Sequence, residues 1–170
     1  MNNKYNYYVL YCQSSKIEQL LNTFNQKEGI VAFIPKIEKH IHSKKELVVK
    51  PLFPGYLFIE SKLNQIEFDT MLILMYEQKN GLIRELKKDD VSALTKEEIQ
   101  LFHLLLNEDH VLVTSRGYKK DGRTIITEGP LKIFQEYIIV VDKREHLAVL
   151  NIEFMSKKIK AGIEIEDQDI

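Results

Sequence analysis

The chain holds one cysteine, no tryptophan and four prolines in 170 residues. A lone Cys12 excludes an intrachain disulfide and suits a reducing compartment. No apolar run approaches the ~18 residues of a membrane span. The first ten residues show no basic region feeding an apolar stretch, so no secretory signal is expected and the cytoplasm is the expected location. An excess of one charge is missing too. Lys and Arg number 24 against 25 Asp and Glu, a formal net charge of −1. That balance excludes a surface that coats nucleic acid all over, while leaving room for local patches.

Signatures of chemistry are equally scarce. The chain has no nucleophile elbow, HExxH, P-loop or dinucleotide fingerprint. Glu97 and Glu98 are adjacent on a helical pattern and point in different directions, so they do not form a carboxylate pair. Cys12, His40 and His42 match no zinc spacing. No catalysis, metal or cofactor is expected.

What the sequence does have is periodicity, and it changes character part-way along. Residues 7–12, "YYVLYC", form a buried-strand pattern. Ser15 and Glu18 have the spacing of a capping box ahead of Ile17, Leu20, Leu21 and Phe24, and Gly29 ends that helix. "IVAFIP" is a second strand, stopped by Pro35. Asn64 and Glu67 open a second helix with Phe68, Met71, Leu72 and Met75 on one face. Ile66, Ile73 and Leu74 widen that face, so this helix is expected to be covered on more than one side. A short strand around Leu82 to Leu86 comes next, then a third helix to about Leu106, opened by Thr95 and Glu98.

From Val111 onward helical period disappears. "TIIT", "EYIIVVD", "LAVLNIEF" and "KIKAGIEI" alternate with turns, the pattern of a small antiparallel barrel. The expected class is therefore α+β, an antiparallel sheet flanked by helices followed by an all-β barrel. The expected boundaries are 1–108 for the first domain, 109–117 for a linker and 118–170 for the second domain.

Two segments stand out as candidate interaction sites. Between the second and third strands, Lys36, Lys39, Lys44, Lys45 and Lys50 face only Glu38 and Glu46, with His40 and His42 among them. A basic hairpin of this kind suits phosphate contact. It is followed by "LFPGYLF", residues 52–58, in which Tyr56 and Phe58 alternate with Leu57 and Ile59. Both faces of this strand are apolar. A sheet with one wet face would carry polar residues on one of the two sets, so one face is core and the other is either core or partner surface.

The same stretch resembles the signature of the amino-terminal (NGN) domain of the NusG family of transcription elongation factors. "YYVLYCQSSKIEQLL" is similar to that family's first strand and helix, and "AFIPKIE" to its second strand. "ITEGPLKIFQEYIIVVDKREHLAVLNI" resembles the family's KOW module, an SH3-like barrel, with Gly129, Pro130 and Leu131 as its turn. Tyr7 stands where the family usually has Trp, and a second glycine of the KOW turn is missing near Ile133. The Gly129-Pro130-Leu131 form followed by "VDKREHLAVLNI" resembles the operon-specific paralogs of the family, such as LoaP.

The resemblance implies a monomeric factor that binds the clamp helices of RNA polymerase through Phe53, Tyr56 and Phe58 and promotes processive elongation or antitermination. It places Lys39, His40, His42, Lys44 and Lys45 near nucleic acid in the elongation complex, and it leaves the ribosome or another factor as a partner of the KOW domain. The alternative is an RNA-binding or ribosome-associated module that does not act on polymerase. From Arg116 onward ten basic residues balance ten acidic ones, which weighs against that alternative.

Overall fold

The computed structural model describes residues 5–41, 43, 45–88, 91–92 and 94–167. In chain order the elements begin with β1 (Asn6–Cys12), α1 (Ile17–Asn25), β2 (Ile30–Phe33), β3 (Lys36–Ile41), β4 (Glu46–Pro51) and β5 (Tyr56–Ser61). Then come α2 (Gln65–Leu74), β6 (Leu82–Glu85), β7 (Lys87–Lys88), β8 (Val91–Ser92) and α3 (Lys96–Leu105). The rest is strand: β9 (Val111–Leu112), β10 (Ser115–Lys120), β11 (Arg123–Glu128), β12 (Ile138–Asp142), β13 (Leu147–Phe154) and β14 (Lys157–Glu166). The class is α+β, as expected. The chain divides into two compact units, Met1–Pro35 with Phe53–Ile99, and Lys36–Leu52 with Gln100–Ile170.

The first unit is built on a four-stranded sheet in the order β2-β5-β1-β6. Its antiparallel register sets Tyr11 opposite Tyr56, Val9 opposite Phe58 and Phe33 opposite Phe58. One face of this sheet, with Tyr8, Leu10, Leu57 and Ile59, packs under Leu20 and Phe24 of α1 and Phe68 and Leu72 of α2. The rings of Tyr8 and Phe68 stack at 3.9 Å. Tyr8 donates its hydroxyl to the Leu63 carbonyl at 2.6 Å, and burial pushes its pKa up to about 12.

Helix starts follow local chemistry. At α2 the Asn64 side chain accepts from the Glu67 N–H, and the Glu67 carboxylate accepts in turn from the Asn64 N–H, each at 2.9 Å. Thr95 and Glu98 make the same reciprocal pair at α3. At α1 the expected box does not form. Lys16 occupies the N-cap with no side-chain cap, because its N–H turns back to the Gln13 carbonyl and delays the helix to Ile17. A second correction concerns α2: Ile66, Ile73 and Leu74 are exposed, so among the described residues only the Phe68 and Leu72 side is covered.

In the second unit a five-stranded sheet runs β11-β10-β14-β13-β12. It curls into an all-β layer with Ile126, Leu131, Leu150 and Ile159 buried. The expected barrel was wholly antiparallel, yet β10 pairs with β14 in parallel. Strand β14 is long enough to serve two neighbours: residues up to Gly162 run antiparallel to β13, and Ile163–Glu166 run parallel to β10.

The segment expected to link the domains is also strand. Val111 and Leu112 pair in parallel with Lys36 and Ile37 of β3, and Ser115 begins β10 fully buried. The hairpin β3-β4 therefore belongs to this unit. It is held by the Glu38 carboxylate, which accepts from the Thr114 N–H at 2.7 Å. The T-shaped contact of Phe102 with Phe154, 4.6 Å between centroids, packs the later part of α3, from Gln100 onward, into the same unit.

Candidate functional site

The segment between β4 and β5 is a tight turn whose residue types its geometry dictates. The Phe53 carbonyl accepts a hydrogen bond from the Tyr56 N–H at 3.1 Å, closing a four-residue turn over Pro54 and Gly55. Gly55 has φ +88, the left-handed value required at the third position of a type II turn, and proline suits the second. The Gly55 carbonyl then accepts from the Cys12 N–H at 2.8 Å, tying the turn to the end of β1.

This turn aims Phe53 and Tyr56 at the sheet face opposite α1 and α2. There the aromatics form a file of two groups of neighbouring rings, Tyr11 with Tyr56 and Phe53 with Phe58 and Phe33. Tyr11 lies 5.0 Å from Tyr56, Phe53 lies 6.2 Å from Phe58, and Phe58 lies 5.6 Å from Phe33, all centroid to centroid. The Arg84 guanidinium sits 6.0 Å from the Tyr11 centroid, at the outer limit of a cation–π contact. Tyr7 continues the face and donates its hydroxyl to Glu60 at 2.8 Å; burial, that hydrogen bond and the carboxylate's charge all raise its pKa.

Exposure divides the three aromatics singled out by sequence. Phe58 is 1% exposed, while Phe53 and Tyr56 are half-buried. Phe58 thus supports the file from within, and Phe53 and Tyr56 are partly open to solvent. Tyr11 and Arg84 were missed by sequence reasoning. The alternation Tyr7-Val9-Tyr11 in β1 carried the signal for Tyr11, since it puts that ring on the same face as Tyr56. Nothing local marks Arg84, which arrives by the pairing of β6 with β1.

The basic hairpin is placed in part. His42 and Lys44 lie outside the described residues. Lys45 is exposed with φ +51, and Lys39 is half-buried. His40 is turned onto His146 of the β12–β13 turn, with ring centroids 4.1 Å apart. Packing the hairpin against the curled sheet is thus the role of the His40 ring visible here.

The Gly129-Pro130-Leu131 turn is a structural device. Gly129 has φ +101, Leu131 is fully buried, and the Leu131 N–H donates to the Ser115 hydroxyl at 3.0 Å. Ile133, where the family resemblance leads one to expect glycine, has φ −73, an ordinary helical value that any residue adopts.

Chemistry is sparse. Burial pushes the Cys12 thiol up to about 11, so it is protonated and unreactive near neutrality. Among the described residues no group of three or more His, Cys, Asp or Glu could hold a metal ion. No helix among them is long and apolar enough to cross a membrane.

A helix-backed sheet with aromatics on its other face, together with a curled all-β sheet carrying a Gly-Pro-Leu turn, defines an α+β protein of two compact units. The family model "Transcription termination factor nusG" matches residues 5–103, more than half of the chain. The chain belongs to the NusG family of transcription elongation and termination factors. Its fold is similar to a solved structure described as "Domain interaction in Thermotoga maritima NusG". That likeness covers 94% of this chain and 93% of that one, at a TM-score of 0.55 and 13% identity.

Proposed function

We propose that this NusG-family chain binds RNA polymerase through the aromatic file of its first unit and promotes processive elongation or antitermination. The observation that carries the reading is the Pro54-Gly55 turn. It holds Phe53 and Tyr56 half-buried, beside Tyr11, on the sheet face away from both covering helices. Partly exposed aromatics fixed on rigid strands lose little conformational freedom when a partner covers them, which makes them good anchors. The occupant is the pair of clamp helices of polymerase, and Phe58 supports the anchors from below.

The factor performs no chemistry. Its effect is a population shift, through tighter binding to the closed clamp than to the open one. Lys39, Lys44 and Lys45 bind nucleic acid in the elongation complex, with His40 and His42 beside them. The second unit is left for a separate partner, a ribosomal protein or another factor. Action on particular operons, as a monomer, completes the proposal; the operon-specific part rests on the Gly129-Pro130-Leu131 form followed by "VDKREHLAVLNI". Residues 1–108 and 118–170 are the two functional modules.

The test is to purify the tagged protein from its host and identify what accompanies it. RNA polymerase subunits are expected, with their recovery reduced by Tyr56→Ala. Ribosomal proteins without polymerase would replace this reading with that of a ribosome-associated module.

A further inference from the structure

Helix α2 has two apolar faces, and the described residues cover only one. Phe68 and Leu72 are buried against the sheet, whereas Ile66, Ile73 and Leu74 are 78%, 65% and 63% exposed and Tyr76, just past the helix, is 73% exposed. Ile66, Thr70, Ile73 and Leu74 follow the i, i+4, i+7, i+8 spacing of a single stripe. β-Branched isoleucine is a poorer helix former than the lysine or glutamate expected at a solvated position. Thr70, in the middle of the stripe, donates its hydroxyl to the Ile66 carbonyl at 2.8 Å, so covering the stripe strands no donor there.

Beside the stripe runs a groove of about 520 Å³ walled by Leu63, Met71, Leu74 and Met75. Met71, half-buried in its wall, is flexible and polarizable, suited to taking up side chains of varied shape, while Met75 is buried in the core beneath. The groove has two charged residues, Lys27 and Glu67. Glu67 is engaged at the helix cap, accepting from the Asn64 N–H at 2.9 Å. Lys27 reaches the neutral amide oxygen of Gln78 at 3.5 Å and no carboxylate among the described residues. The Glu67 carboxylate is directed at the cap, which leaves the Lys27 ammonium as the charged group available to a partner's carboxylate.

We propose that this face docks a partner protein's amphipathic helix, apolar stripe inward, with an acidic residue beside the stripe to meet Lys27. The size of the patch selects a helix over a second copy of this chain. Four such side chains present a few hundred Å², short of the ~800 Å² per partner of a standard stable interface. Helix-in-groove recognition needs only i, i+3/i+4 and i+7 anchors, the repeat this stripe offers. The surface is separate from the aromatic file: α2 lies on the side of Tyr8 and Ile59, while Tyr11, Tyr56 and Phe58 alternate to the other side. One chain can then hold polymerase with one face of the sheet layer and a second protein with the other.

The probe is a synthetic amphipathic helix with leucines on one stripe and glutamates beside them, titrated into the full chain and followed by methyl NMR. The expected result is perturbation of the Ile66, Ile73 and Leu74 methyls. Ile66→Gln combined with Ile73→Gln should weaken affinity ~10-fold or more, without lowering the melting temperature. The same peptide with lysines for glutamates should bind more weakly, and Lys27→Glu should erase that preference. No perturbation of these methyls, or equal affinity in the double variant, overturns the proposal. So does a dimer in sedimentation that the double variant abolishes, which would assign the face to a second copy. Anionic vesicles that perturb these methyls more than the peptide does would assign it to lipid and overturn the proposal as well.

Discussion

Gly55 lies against the ring of Tyr11: a Cβ added to Gly55 would stand 3.0 Å from Tyr11 Cε2 and 3.5 Å from the Cys12 carbonyl oxygen. The glycine is thus required for its φ of +88, and a Cβ there would also press on the ring beside it. The turn and the aromatic file are one construction. Moving Gly55 away from β1 would break the hydrogen bond from the Cys12 N–H and carry Tyr56 away from Tyr11.

Gly55→Ala tests this coupling. A left-handed φ costs an alanine about 1–2 kcal/mol, and the ring beside it adds to that cost. Urea unfolding should show a destabilisation of about 2 kcal/mol, and affinity for a clamp-helix fragment should fall with it. Unchanged affinity despite the lower stability would separate the turn from the interface.

Phe58→Ala and Tyr56→Ala should behave differently although both rings lie on one face. Phe58 is buried, and truncating a buried aromatic costs about 3–5 kcal/mol of fold stability. Tyr56 is half-buried, so its removal should lower the melting temperature little while weakening polymerase binding by ~2 kcal/mol or more. A large fall in melting temperature for Tyr56→Ala would return that ring to the core and sink the interface reading there.

The alternation that put these rings on one face was legible because strand period is local. Which rings are covered was not, since alternation assigns a side and says nothing of what lies over it; Phe58 and Tyr56 share a side and differ in burial. Caps with side chains at i and i+3 were legible at Asn64 and Thr95. At Ser15 the same spacing failed, because the backbone bond from Lys16 to Gln13 took the chain through a turn first. Strand β9 was invisible for a different reason: its partner Lys36-Ile37 is far off in sequence, and two residues carry no period of their own. The apolar surplus on α2 was visible in the sequence. Its meaning was not, because covering from within the chain and covering by a partner produce the same pattern.

The hairpin lysines should act through charge alone. Changing Lys44 and Lys45 together to Glu should weaken nucleic-acid-dependent activity and reduce its salt slope by about 1 for each phosphate these side chains neutralise. Polymerase affinity should hold, since rim charges chiefly tune encounter. A salt slope identical to that of the unaltered protein would mean this hairpin only faces solvent.

Lys87 ties α2 to the strands beside it, with its ammonium 2.8 Å from Asp69 and 3.5 Å from Glu85, while Gln65 bridges the two carboxylates. Burial pushes Asp69 upward, but hydrogen bonds from Lys87 and Gln65 outweigh it and hold the group below its ordinary value. Burial raises Glu85 and is only partly opposed by the same neighbours. The depressed group contributes stability that is present above its unfolded value, about 4, and lost as pH falls through its lower folded value. The raised one opposes folding when ionised, and that penalty disappears on acidification. Lys87→Met should therefore destabilise by about 1 kcal/mol at neutral pH, a figure kept small by solvent screening, and the difference should shrink as pH falls below about 4. Urea midpoints across that range measure it. A difference constant with pH would attribute the destabilisation to the packing of the lysine stem.

The Gly-Pro-Leu turn makes an opposite pair of predictions for two neighbouring positions. A Cβ on Gly129 would stand 2.6 Å from both Ser115 Cα and Ser115 Oγ, and the first of these is backbone that cannot rotate aside. Ser115 is fully buried at the start of β10, and its hydroxyl holds the Leu131 N–H. Gly129→Ala must therefore push the turn off β10, stranding a buried N–H and lifting Leu131 out of its site, on top of the strain at φ +101. A destabilisation of about 3 kcal/mol or more is expected. Ser115→Ala removes only the acceptor and should cost about 1–3 kcal/mol. Ile133 is exposed with an unstrained backbone, so Ile133→Gly should change stability by no more than about 1 kcal/mol. Thermal melts of the three full-length variants give the order. A tolerated Gly129→Ala, or an Ile133→Gly that stabilised the chain, would show that the turn relaxes in solution and that its glycine is not set by the close approach of Ser115.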